Sequence, residues 1–88
     1  MTQELYAIHD NKASFFMTPW PCRNVGIARR EFAGACANPE TAMGKFPADF
    51  VLYHVGEYDD HDASVKSLTP PVRICDGVEI LQMAKAEK

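Results

Sequence analysis

Two hydrophobic periods divide the chain. From residue 4 to 10 (ELYAIHD) the pattern alternates, with Leu5, Ala7 and His9 set against Tyr6, Ile8 and Asp10. A period of two marks a strand with two unlike faces. The DNK triplet at 10–12 is turn chemistry, because Asp and Asn side chains bond to nearby backbone and tolerate left-handed dihedrals. ASFFM then returns as a second strand. TPWPCRN (18–24) carries Pro19 and Pro21, each without an N–H and each pressing its predecessor towards an extended shape, so no regular element is expected there.

At Val25 the period becomes helical. Asn24 is a good N-cap, and Val25, Ala28, Phe32 and Ala35/Cys36 form one stripe at spacings of three and four. Arg29, Arg30 and Glu31 lie on or beside the solvent face. Pro39 should end the helix at Asn38. Gly26 and Gly34 each weaken it by roughly 1 kcal/mol relative to alanine, which implies tertiary support or a close backbone approach. PETAMGKFPA (39–48) reads as a loop with one short turn.

FVLYHVGEY (50–58) is the clearest strand, with Phe50, Leu52, His54 and Gly56 opposite Val51, Tyr53, Val55 and Glu57. DDHDAS is a turn into a strand at 65–69, and Pro70–Pro71 should break its pairing. VRIC and VEILQM read as short strands around Asp76–Gly77, a dipeptide favoured in tight hairpins. The tail 84–88 (AKAEK) should fray. The order β-β-α-β-β-β predicts an α+β fold, a small antiparallel sheet with one main helix, as a single domain over 1–88.

With 88 residues the chain is short for building a core unaided, and such domains often lean on a second copy. A homodimer is therefore expected. Cys22, Cys36 and Cys75 are odd in number and widely spaced, without a CxxC, so they read as reduced thiols in a cytosolic protein. Cys36 is the core candidate and Cys22 the exposed one. No apolar run suits a membrane helix and no signal peptide is evident, so no membrane partner is expected.

Net charge is −3, and its distribution matters more than its size. Lys12, Arg23, Arg29, Arg30 and Lys45 lie in a stretch with only Glu31 and Glu40 against them, whereas 49–62 holds five acids and no Lys or Arg. The acidic stretch, DFVLYHVGEYDDHD, offers His54, Glu57, Asp59, Asp60, His61 and Asp62 as donors. His54 and Glu57 point to opposite faces of a regular strand and meet only if Gly56 marks a bulge. The run lacks the glycine and closing acid of a calcium loop, so a solvated hairpin turn is the preferred reading and no metal is assigned. No GxSxG, HExxH or phosphate loop is present, so neither catalytic residue nor cofactor is assigned.

The basic stretch interleaves aromatics: Lys12, Phe15, Phe16, Trp20 and Arg23, followed by Arg29, Arg30 and Lys45. Single-stranded nucleic acid is held by cations along its backbone and aromatic platforms under its bases. In the plainer reading the phenylalanines are core, Trp20 covers the core edge and the arginines are solvated.

The motif order resembles the small non-structural protein of gokushovirus-type microviruses, phages with circular single-stranded DNA. The matching pieces are LYAIHDNKASFF, MTPWPCRN, IARREFAGACAN, the more specific PADFVLYHVGEYD (47–59) and LTPPVRICDGVEILQ, covering residues 5–82. The resemblance implies a non-enzymatic protein made in the infected bacterial cytoplasm and absent from the mature capsid shell. Members are often labelled DNA-binding. The expectation is single-stranded DNA binding during viral genome synthesis or packaging. Lys12, Arg23, Arg29, Arg30 and Lys45 would contact phosphates, and Phe16 and Trp20 would stack. The alternative is an assembly adaptor whose acidic 49–62 segment engages a basic partner such as a replication or capsid protein.

Overall fold

The computed structural model describes residues 1–86. Strand β1 (Thr2–Asp10) is followed by the short strands β2 (Phe15–Phe16) and β3 (Trp20–Cys22), then helices α1 (Val25–Ala37) and α2 (Ala42–Lys45) and a 3-10 turn at Pro47–Asp49. Strands β4 (Phe50–Asp59) and β5 (Ser64–Asp76) form a long hairpin, and helix α3 (Gly77–Ala86) closes the fold. The sheet is antiparallel in the order β2-β1-β4-β5, with β3 also paired to β1. The α+β class with a small antiparallel sheet stands as expected.

Helix α1 begins and ends as its sequence dictates. The Asn24 side chain accepts from the Ile27 N–H, and Asn38 is the C-cap before Pro39. Ala28, Phe32 and Cys36 are its buried stripe. They meet Tyr6, Ile8, Phe50, Leu52, Cys75 and Ile80, while Val25, Met43 and Leu81 pack at the margin. All three helices thus cover one face of the sheet. The shortest dimension, 21 Å, accommodates one sheet and one helical layer at the usual spacing of about 10 Å.

Both hairpin turns use one device. Asp10 accepts from the backbone of Lys12 and Ala13, and Asp59 from that of His61. Each turn closes on a residue in the left-handed region, Ser14 (φ 62°) and Ala63 (φ 63°).

Several expectations are corrected. Asp76–Gly77 does not form a hairpin: VEILQM is helical, and the last strand is replaced by α3. Asp76 caps the Glu79 N–H at 2.8 Å and Glu79 caps the Asp76 N–H at 2.9 Å, a reciprocal capping box that satisfies two donors at the helix start. The same helix carries Ala84 and Lys85 of the expected tail; residues 87–88 lie outside the described residues. TPWPCRN contains a short strand, because Pro21, the partner of Leu5, stands on an edge strand, where proline is tolerated. Pro70 and Pro71 do break the pairing, as expected, since residues 68–71 have no partner on β4, and β5 pairs again beyond them. Between His54 and Gly56 the partner steps from Val72 to Ser67, so Val55 faces residues 68–71 and the prolines bulge out of an edge strand. Neither Gly26 nor Gly34 meets another element closely; beside Gly34 the space is open.

Candidate nucleic-acid interface

Strand register sorts the side chains of the site. On β1, Tyr6 and Ile8 face the helices, so Ala7 and His9 face away. Ala7 pairs with Tyr53 and His9 with Val51 across β4, and His9 pairs with Phe16 across β2. The rings of His9 and Phe16 meet edge to face with centroids 4.6 Å apart, Phe16 and Tyr53 at 5.3 Å, and His9 and Tyr53 at 6.3 Å. These three aromatics stand on the face that no described helix covers. Phe16 is 45 % exposed, while His9 and Tyr53 are half-buried around the small, buried Ala7 and Val51. Lys12 lies in the exposed turn that joins β1 to β2.

The other expected residues lie elsewhere. Trp20 pairs with Tyr6 and therefore stands on the helix-side face. It is partly buried against the core, and its Nε1 donates to Glu31 Oε1 at 3.1 Å. Phe16 and Trp20 are on opposite faces and do not form one platform. Arg23 is exposed just before α1, and Arg29 and Arg30 line a groove between α1 and α3. Lys45 is exposed at the end of α2. Among the described residues none of these five cations lies within ion-pair distance of a carboxylate. The described side-chain cation that is paired is Arg73, with Glu79 at 2.6 Å and Asp76 at 3.6 Å.

The model of the Phage ORF5 protein family matches residues 3–80, a span that includes every strand except the first residue of β1, Thr2. The chain belongs to that family. The expectation of a bacteriophage protein is met at this level. No curated protein and no solved structure matches the chain.

The acidic stretch resolves into strand and turn. Opposite Leu5 and Tyr6 the register steps from Gly56 to His54, so Val55 is a bulge and the alternation of β4 flips beyond it. His54 and Glu57 therefore share the helix-side face, contrary to the regular-strand reading. His54 stacks on Tyr6 at 5.0 Å, and its Nε2 lies 3.1 Å from the Gly56 carbonyl. Asp59 and Asp62 accept from backbone N–H groups of the turn, and Asp60 from the Met1 amine. Among the described residues no three His, Cys, Asp or Glu side chains are grouped to hold a metal ion, and no helix is long and apolar enough to cross a membrane.

Cys22 is buried, which corrects its expected exposure. Its thiol donates to Glu31 Oε1 at 3.0 Å, and burial, then that carboxylate, pushes its pKa up to about 11. The bonds from Cys22 and Trp20 hold the Glu31 carboxyl below its ordinary value. His9 and Tyr53 were not among the residues expected from sequence. The alternation of β1 and β4 put each on a defined face; which faces coincide depends on register.

Proposed function

We propose that this phage protein is a non-enzymatic binder of single-stranded DNA, acting during viral genome synthesis or packaging inside the infected cell. The observation that carries the reading is the aromatic group Phe16, His9 and Tyr53 on the uncovered sheet face. Every base has a π face, so aromatic platforms bind single strands with little regard to sequence, at roughly 1–3 kcal/mol per stacked base. Lys12 stands beside this platform for a phosphate contact. Arg23, Arg29 and Arg30 are on the helix side of the sheet, out of line with it. Stacking then carries most of the affinity, and salt dependence is shallower than for a protein that neutralises many phosphates.

The test is titration of a labelled oligonucleotide, single- and double-stranded, at low and moderate salt. The single strand should bind in preference to the duplex. Phe16→Ala should weaken binding by roughly 1–3 kcal/mol. Lys12→Ala should flatten the salt slope. Absence of binding at low salt, or unchanged affinity in Phe16→Ala, would overturn the reading.

A further inference from the structure

We infer that the groove between α1 and α3 is a docking site for an acidic, amphipathic segment of another protein. The groove, about 470 Å³, has an aliphatic lining that includes Ile27, Ala33, Ile80 and Met83, with Arg29 and Arg30 along it. Ile27 and Met83 are among the large apolar side chains that the fold leaves exposed, at 37 % and 38 %, and here they stand together. Clustered exposure of this kind marks interaction surfaces, whereas single exposed apolar residues need no explanation.

The chemistry of the lining selects the occupant. Aliphatic and methionine side chains adapt to the apolar face of a docked helix, which reads as anchors spaced by three and four. Among the described residues the groove contains no aromatic ring, so it lacks the platform on which a nucleobase stacks. Its charged side chains among the described residues, Arg29 and Arg30, are positive. Among the described residues neither arginine has a carboxylate partner, and Arg29 Nε is buried without an acceptor. A carboxylate supplies paired acceptors to the exposed end of a guanidinium. These arginines complement an acidic partner and oppose a basic one. The groove lies on the helix side of the sheet, behind the aromatic face, so the inference stands independently of DNA binding.

The experiment selects binders from a displayed library of random short peptides on the full chain, with counter-selection on Arg30→Glu. Enriched peptides should carry Leu, Ile or Phe at helical spacing among Asp and Glu. In a polarisation titration of one such peptide, Arg30→Glu and Met83→Asp should each weaken binding by about tenfold or more, a loss of about 1.4 kcal/mol. Both positions are exposed, so melting should stay near that of the parent and separate lost contact from lost fold. Phe16→Ala and a saturating oligothymidine should leave peptide affinity unchanged. The inference fails if no peptide is enriched, if enriched peptides are basic, or if binding survives both variants. It also fails if oligothymidine displaces the peptide, which would make the groove a nucleic-acid surface. A dimer in sedimentation that is lost in Met83→Asp would equally overturn it, by assigning the groove to a second copy.

Discussion

Trp20 donates its indole N–H to the Glu31 carboxylate at 3.1 Å, tying the edge strand β3 to the exposed side of α1. The ring also leans on Tyr6, with centroids 6.4 Å apart and planes tilted by 45°. An indole held in this way is part of the fold's margin. Trp20→Ala should therefore lower stability by about 2 kcal/mol, less than the 3–5 typical of fully buried aromatics. The corresponding fall in melting temperature is about 10 °C. Affinity of the folded protein for a single-stranded oligonucleotide should stay unchanged. Melting and titration of one Trp20→Ala sample check both, and a lost affinity without lost stability would return Trp20 to the stacking surface.

Stability should fall in alkali. Burial pushes the thiols of Cys22 and Cys36 from an ordinary 9.0 up to about 11, and it raises Tyr6, Glu4 adding to the effect. Between these values the unfolded chain releases protons that the folded chain keeps. Folding is then favoured below pH 9 and progressively loses that advantage as pH rises through 11. Denaturation midpoints measured at intervals from pH 8 to 11 should decline, and the decline should be smaller in Cys36→Ala. A flat profile would show that these thiols titrate alike in both states.

The capping box at α3 is open to separate tests of its parts. Asp76→Ala removes the acceptor for the Glu79 N–H and should cost about 1 kcal/mol. Glu79→Gln keeps an oxygen for the Asp76 N–H and loses only the exposed pair with Arg73, worth less than about 1 kcal/mol. Urea titration of the two variants should therefore rank Asp76→Ala as the more damaging. The opposite order would mean that the ion pair, and not the cap, starts the helix.

Two small substitutions should move stability upward for opposite reasons. Gly34 sits in the middle of α1 with nothing near a would-be Cβ, so Gly34→Ala should add roughly 1 kcal/mol through helix propensity alone. Ala63 holds a left-handed dihedral (φ 63°) in the acidic turn, where a Cβ costs roughly 1–2 kcal/mol, so Ala63→Gly should recover part of that. Gly77→Ala, by contrast, would set a Cβ 2.3 Å from the Pro47 carbonyl oxygen and should be strongly destabilising. Thermal melts of the three proteins give the signs directly.

The local elements were written in the sequence where short-range physics decides them. Alternation marked β1 and β4, an Asn cap and a following proline bounded α1, and Asp-led turns closed the two hairpins. At Asp76–Gly77 two local signals competed. The dipeptide suits a hairpin, but Glu79 completes a capping box, and Gly77 lies so close to Pro47 that the helix start is fixed by packing. The prolines of β5 were visible as breakers, yet an edge strand can bulge around them because its outer side has no ladder to lose. Each basic and aromatic residue of the expected site was equally visible. Their division between two faces was not, because a face is assigned by register and one bulge at Val55 reverses every side chain beyond it. Tertiary pairing alone brought His9 and Tyr53 beside Phe16, left Trp20 behind the sheet and buried Cys22 under a helix carboxylate, Glu31, nine residues along the chain.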